Sequence, residues 1–530
     1  MIPTRGRLCT EVEVTSELDC DDRGRADAGT WGQMPVPIAA IDVGSNSVRV
    51  AVMSRSDHGS LEVLDEARDV PRLIRDVEEH GKLRPETIEH LMAVLADFRL
   101  LAHASGAEIV AVATSAARDA SNGPELVERI RRELGIDLRV ISGDEEARLA
   151  FLGATYTLPV SNGLVLDIGG GSMEVVRFED RQAVQTWTLP LGAVRLTDRF
   201  LTSDPLSTSE LRALRTHIQK QITGAKIAPL RDDETLVGTG GTIRNLGKID
   251  RARRAYPLSR LHGYEVARSD LQGVADLVRQ GSVSERRSIS GLNEDRADTI
   301  VAGALVVEAM MNALQARSLT VSGQGLREGM ALDASPEALP GLAALRAASV
   351  RDAVSRFVPL RWELAERRRA LVGALSLAVG FAPDAEFVEV LDAAAAVQDI
   401  GRSVDYYNRE RHTEFLLLEH GLDGWSHREL ALICALVRQG HQEKYTPTVY
   451  QPLIATRDHN LVSAAGCLLA LSDAIASRRS TDHAAVVVWR REHNRLLIAD
   501  EQLGRWEPVA LATRFKRAFG LELCFEGRGS

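Results

Sequence analysis

Aromatic residues make up only 5% of this 530-residue chain, and its five cysteines, Cys9, Cys20, Cys434, Cys467 and Cys524, are scattered with no CxxC pair. That pattern excludes a disulfide framework and a paired-thiolate zinc site; it suits a thiol-reducing compartment, so the cytoplasm is the expected location. No apolar run approaches bilayer-spanning length, since even Ala464–Ala476 is short and broken by Asp473, and no membrane association is expected. Residues 1–36 carry Glu11, Glu13, Glu17, Asp19, Asp21 and Asp22 without an apolar stretch, the wrong pattern for a secretory signal, and are expected to be a disordered extension. A net charge of −10 removes any general attraction for nucleic acid, so an anionic substrate would need a local cationic site.

What is present is the composition of an ordinary globular protein, 45% hydrophobic and 26% charged, with a length that implies several domains. From Pro37, IAAIDVGSNSVRVAVMS predicts two strands joined at a glycine-containing turn, with a third strand near Leu61–Leu64. Helical spacing follows over Pro85–Ala104, then a buried strand over Glu108–Thr114 and a helix that Asn122 caps, Glu125 supports from the capping-box position and Gly135 ends. A strand at Leu138–Ser142 leads into the helix of SGDEEARLAFLGA, and GLVLDIGGGSMEVVRFE then repeats the opening hairpin.

The repeat aligns Asp42 with Asp167 at an offset of 125 residues, about one domain. The expected fold is therefore α/β and duplicated, with one domain over residues 37–160 and a second over 161–335. Residues 340–478 turn to Ala-, Leu- and Arg-rich helical periodicity, and residues 482–530 return to strands around HAAVVVWRR, RLLIAD and LELCFE as a small α/β module.

Each copy of the repeat carries a loop suited to phosphate. Glycines let backbone N–H groups face a concavity, as Gly44, Gly169, Gly170 and Gly171 can, and Ser45, Asn46, Ser47 and Ser172 add polar side chains. Asp42 and Asp167, at the ends of the preceding strands, can hold a hydrated Mg²⁺ or another divalent cation that bridges phosphate oxygens. One such loop could be a plain hairpin turn, but two matched copies and a third loop, VGTGGTIRNLG with Gly240, Gly241 and Thr242, argue against that.

These motifs resemble the exopolyphosphatase and guanosine pentaphosphate phosphohydrolase (Ppx/GppA) family, within the actin-like ATPase (RNase H-like) superfamily. The resemblance runs over Ile38–Met330 through AIDVGSNSVR, ATSAARDASNG, VISGDEEARLAFLGA, LVLDIGGGSMEVV, GTGGTIRNL, ERRSISGLNEDRADTIVAGALVV and VSGQGLREGM. It implies hydrolysis of a phosphoanhydride, with Glu146 as general base, Arg118 on a phosphate and Glu174 assisting the metal. Glu145 is left to helix-terminus chemistry with Ser142, and neighbouring helical residues point about 100° apart, so Glu146 faces elsewhere. Arg296 and Asp298, with Gly325, Arg327 and Glu328, match family positions near the cleft, although closing the second domain would use them equally well. The arginines of Arg251–His262 could guide a polyanion or simply be solvated.

Longer members of the family carry a helical domain resembling the HD metal-dependent phosphohydrolases. Here that match is degraded: Gln398 stands where the motif has histidine, only Asp399 remains, and no histidine lies between Val350 and Gly380. The helical, HD-like region is expected to shape a substrate channel or a homodimer contact. Taken together, the sequence implies an exopolyphosphatase acting on inorganic polyphosphate, with pppGpp 5′-phosphohydrolysis as the alternative. An acetate- or sugar-kinase chemistry would instead require ATP-dependent phosphorylation of an acceptor, and a sensor would bind without turnover.

Overall fold

The computed structural model describes residues 36–56, 58–334, 340–479, 488–500, 502–504 and 506–527, so the expected N-terminal extension lies outside the described residues. The chain divides into two compact units, residues 34–349 with 423–426 and residues 350–422 with 427–530.

In the first unit, near-continuous apolar sequence makes β1 (Ile38–Val43) a central strand buried on both faces. It pairs antiparallel with β2 (Val48–Arg55), which pairs antiparallel with β3 (Leu61–Asp69). After α1 (Leu73–His80) and α2 (Pro85–Ala104), β4 (Glu108–Ala113) adds parallel to β1. The short α3 (Ser115–Asp119) and α4 (Gly123–Leu134) precede β5 (Leu138–Val140), giving a sheet of order β3-β2-β1-β4-β5. Leu91, Leu95, Phe98 and Ala102 form the inner stripe of α2, at the spacing of one helical face.

Helix α5 (Gly143–Tyr156) leads to the second copy, β6 (Gly163–Ile168), β7 (Met173–Glu179) and β8 (Gln182–Leu189). Next come α6 (Ala193–Phe200), α7 (Thr208–Ala225), β9 (Thr235–Thr239), α8 (Gly240–Arg253), β10 (Tyr264–Ala267), α9 (Arg268–Val278) and α10 (Val283–Arg286). The unit closes with α11 (Ile300–Ala313), β11 (Ser318–Val321) and α12 (Leu326–Asp333). The sheet order is β10-β11-β9-β6-β7-β8, so the β3-β2-β1-β4 arrangement recurs as β8-β7-β6-β9. This is the expected duplicated α/β architecture, and β1 and β6 sit 125 residues apart as the motif alignment requires.

The boundary between the halves differs from the expected break at residue 160. Helix α5 packs its Ala147, Phe151 and Ala154, together with Leu158 just beyond its end, on Val165, Val176 and Val237 of the second sheet. Helix α12 packs Met330 and Ala331 on Ala40, Ala51 and Val112 of the first. Each half thus lends its last helix to the other. The two helices cross at glycines: a β-carbon at Gly153 would lie 1.9 Å from Gly325 O, and one at Gly329 would lie 1.8 Å from Leu149 O.

Asn122 also departs from expectation. It occupies the N-cap position of α4, but its side chain makes no cap hydrogen bond. Instead Oδ1 accepts from Leu83 N–H and Nδ2 donates to Leu83 O, both at 2.9 Å, which ties α4 to the start of α2.

The second unit contains α14 (Trp362–Val379), α15 (Ala385–Val397), α16 (Arg409–His420), α17 (His427–His441) and α18 (His459–Ala476), preceded in the chain by α13 (Leu342–Phe357). At its end β12 (Val488–Glu492), β13 (Arg495–Ala499), α19 (Val509–Phe519) and β14 (Glu522–Glu526) form a three-stranded module of order β12-β13-β14. The part of the expected first strand before Val488 lies outside the described residues. One correction concerns apolar length: Thr456–Ala476, 21 residues of mean hydropathy 1.3, is long and apolar enough by composition to cross a bilayer. Here its inner residues Val462, Ala465, Cys467, Leu468, Leu469, Leu471 and Ile475 are buried in the helical core.

The glycine crossing generates a prediction. Gly329→Ala should cost about 3 kcal/mol or more by forcing α5 and α12 apart, because no rotamer can relieve a β-carbon that meets backbone. The loss of stability is to be read from urea unfolding of the full chain.

Candidate active site

Both hairpins close with the same tight turn. Gly44 N–H donates to Ser47 O at 3.2 Å, and Gly169 N–H donates to Ser172 O at 3.0 Å. The carbonyls behind each turn are taken by a helix start: Asn46 O and Ser45 O accept from Arg72 and Ile74, while Gly169 O and Gly170 O accept from Ala193, Val194 and Arg195. With the carbonyls occupied on that side, the loops face each other across one cleft. A β-carbon at Gly170 would lie 2.9 Å from Asn46 Cβ, and one at Gly171 would lie 2.5 Å from Ser115 Oγ, so the facing loops leave no room for side chains there.

Ser45 Oγ lies 2.5 Å from Ser115 Oγ and accepts from Ala116 N–H at 3.0 Å, which anchors the first loop on α3. Gly240, at φ +90°, brings the third loop against Asp167: a β-carbon there would stand 2.7 Å from Asp167 Oδ1. The cleft is lined by Asp42, Gly44, Ser45, Asn46, Ser47, Glu146, Asp167, Gly169, Gly170, Gly171, Ser172, Gly240 and Gly241 from the sequence-predicted set.

Three predicted residues stand apart from that lining. Thr242 is turned into the core, with its Cγ2 2.3 Å from where Gly303 would carry a β-carbon, so the third loop contributes its two glycines and not this hydroxyl. Arg118 is drawn behind the cleft: Nη1 donates to Ile141 O at 2.7 Å and lies 3.5 Å from Glu146 Oε2. It reaches the site through Glu146. Glu174 faces Asp167 across the second hairpin and is 2% exposed.

Four guanidinium groups, from Arg49, Arg244, Arg296 and Arg327, line the same cleft. Arg49 and Arg244 were not singled out from sequence. Arg49 is the hairpin partner of Asp42, just as Glu174 is of Asp167, so the repeat places a cation on one wall and an acid at the equivalent point of the other. Arg244 sits in α8, one turn on from its first residue, Gly240. The signal was their register relative to the loops, obscured because arginine is so often a solvated residue. Of the positions left open, Arg296, Gly325, Arg327 and Glu328 line the cleft, whereas Asp298 pairs with Arg72 and Arg75. The arginines of Arg251–His262 do not line it; Arg251 donates to Ser259 O and Arg254 pairs with Asp270.

The ionisable groups are held away from their ordinary states. Burial, then the negative charge of Asp167, pushes Glu146 up to about 8 against the pull of Arg118. Burial raises Asp42 and Asp167 each to about 6 despite nearby arginines. Glu174 is raised well above its usual range by burial and by Glu146 and Asp167. Across the first hairpin from Asp42, burial and then Arg244, Arg327 and Arg296 push Arg49 down to about 9. Asp42 Oδ1, Glu146 Oε2 and Glu174 Oε1 are buried without a hydrogen-bond partner. Like charges are therefore crowded on both walls, an arrangement whose cost a bound cation and a bound polyanion would each relieve.

Comparison with known proteins gives the family and the fold. The chain matches the family model described as Ppx/GppA phosphatase family over residues 52–338, and the model for Ppx/GppA phosphatase, domain III, over residues 380–503. It is 32% identical over 322 residues to Exopolyphosphatase 1 of Mycobacterium bovis, covering 60% of this chain and 93% of the relative. Exopolyphosphatase 2 of Mycobacterium tuberculosis is also 32% identical, over 56% of this chain and 97% of its own length. Among solved structures, the Aquifex aeolicus Ppx/GppA family member aligns with a TM-score of 0.51 and 31% identity, over 56% of this chain and 97% of its own.

The crowded carboxylates predict a trade between stability and function. Burial and the charges of Glu146 and Asp167 raise Glu174 well above its usual range, so the unfolded chain gives up this proton more readily than the ligand-free folded protein, and the stability present below the unfolded pKa is reduced at about pH 8. Glu174→Gln should raise the melting temperature there, leave it nearly unchanged at about pH 4, and lower activity, as checked by calorimetry at both pH values.

Proposed function

Because the chain belongs to the Ppx/GppA phosphatase family and is one of its hydrolases, we propose that it is an exopolyphosphatase, releasing orthophosphate from the end of inorganic polyphosphate. The observation that carries this reading is the pairing of four guanidinium groups with the facing glycine loops in one cleft. No aromatic ring lines the cleft among the described residues, and this favours a bare phosphate chain over pppGpp, whose guanine would call for a stacking surface.

In this reading a water beside Glu146 gives its proton to the carboxylate as its oxygen attacks the terminal phosphorus. The bond from that phosphorus to the bridging oxygen breaks, and the bridging oxygen leaves with the chain shortened by one phosphate. The loops and Arg49, Arg244, Arg296 and Arg327 hold the phosphates and meet the charge that spreads over the transferring group. Arg118, tethered to Ile141 O, keeps Glu146 oriented.

A divalent cation such as Mg²⁺ fits the acidic wall, because Asp42 and Glu174 each bury an unpartnered carboxylate oxygen and Asp167 stands beside Gly240. No three His, Cys, Asp or Glu side chains converge into a complete site among the described residues, so the coordination shell would be finished by phosphate oxygens and water. When bound, the cation neutralises phosphate charge and lowers the pKa values of the carboxylates around it. We place the reaction in the cytoplasm, supported by the free Cys434, Cys467 and Cys524, and on a homodimer, for which exposed Leu360, Leu377 and Val388 offer apolar surface.

Three measurements test this function. Phosphate release should be faster from polyphosphate than from pppGpp, and the reverse ranking would select the alternative substrate. Glu146→Gln should lower kcat by about a thousandfold with little change in polyphosphate binding. A base must be ionised to act, so kcat/KM of the wild type should climb with pH along a limb that lies at or below about 8, the value to which Glu146 is raised before the cation lowers it. That ascending limb should vanish in the variant.

A further inference from the structure

The helical unit holds a second concentration of guanidinium groups that the proposed hydrolysis does not use. Asp399, at the C-terminal end of α15, is 2% exposed, and four arginines surround its carboxylate. Arg368, 1% exposed, is fully committed: it donates to Asp399 Oδ2 at 2.6 Å and to Asp473 Oδ1 at 2.7 Å, bridging the two acids from within. A guanidinium thus stands between buried Asp399 and half-buried Asp473, compensating part of their charge.

With Arg368 compensating one charge, Arg361, Arg402 and Arg409 remain for the rest of the pair. Arg361 and Arg402 are looser, at 3.4 Å and 3.5 Å from Asp399, whereas Arg409 donates Nε to Asp399 Oδ1 at 3.0 Å and has Nη2 3.8 Å from Asp473 Oδ2. Four cations against two acids leave two positive charges in surplus. Asp405, the acid of the adjoining loop, accepts from Tyr407 N–H at 3.4 Å. In a chain with few aromatic rings, exposed Tyr406 stands beside these arginines and exposed Tyr407 meets it edge-on at 5.5 Å between ring centres; the two are 53% and 72% exposed. The guanidinium carbons of Arg402 and Arg409 lie 4.7 Å and 5.3 Å from the Tyr406 ring centre. Stacking orders a planar fork while leaving its edge N–H groups free to donate.

We propose that Arg361, Arg402 and Arg409 form an anion site on the helical unit that takes the phosphate chain of a nucleotide, with the nucleotide ring against exposed Tyr407. The arginine edges supply paired donors to phosphate oxygens. The tyrosine adds the stacking surface that the hydrolytic cleft lacks. Inorganic polyphosphate would satisfy the same arginines but would leave the ring unused.

Photolabelling of the full chain with 8-azido-ATP, followed by peptide mapping, tests the site directly. The expected result is an adduct on the peptide bearing Tyr406 and Tyr407, reduced about tenfold or more in Arg402→Ala/Arg409→Ala, a drop equivalent to about 1.4 kcal/mol of binding. Phosphate release from polyphosphate in the cleft should be retained in that variant. Should the double substitution lose the wild-type circular dichroism, Arg361→Ala and Arg402→Gln are read in the same way. Competition by ATP but not by tripolyphosphate supports a nucleotide ligand, and equal competition by both supports the phosphate chain from either source. Absence of an adduct on that peptide, labelling unchanged in the arginine variants, or labelling that neither compound competes away would overturn the proposal.

Discussion

The close crossing of α5 and α12 is the constraint on which the rest of the hydrolytic unit depends. Glu146 lies in the first turn of α5, while Arg327 and Glu328 lie in the first turn of α12. Because Gly153 and Gly329 let the two backbones touch, the starts of both helices are brought to one cleft. The exchange also fastens each helix to the sheet of the opposite half, so neither half can drift without breaking packing in the other.

Given that frame, the cleft is a place of unrelieved electrostatic crowding. Buried acids push one another towards protonation, and buried arginines in the same cleft push one another towards proton loss, even though Asp42 and Arg49 face each other across one hairpin. The crowding costs folding energy in the empty protein and returns it as binding energy for a metal and a polyanion. Ion pairs further out bridge the two halves differently, for example Arg75 with Asp198 and Arg195 with Asp119, where both partners are already matched.

The helical unit shows how the same residue type serves a different end. Arg368 bridges buried Asp399 and half-buried Asp473, whereas Arg361 and Arg402 are held more loosely and Arg402 lies over exposed Tyr406. The degraded histidine motif told of a missing metal chemistry, but not of a guanidinium lying between the two acids.

Local pattern by itself determined the strands, the main helices, the 125-residue duplication and the loop residues Asp42, Gly44, Asp167 and Gly169, because each is dictated by neighbours a few positions away. Tertiary structure alone decided what long-range approach dictates: the turning of Thr242 towards Gly303, the withdrawal of Arg118 behind Glu146, and the use of the Asn122 side chain on Leu83. It likewise decided the convergence of Arg49, Arg244, Arg296 and Arg327, four residues spread over nearly 280 positions. An arginine in isolation carries no sign of whether it will be solvated or buried among its own kind. That depends on which backbones can come close enough to hold it there, and in this chain two glycines at a helix crossing settle the matter.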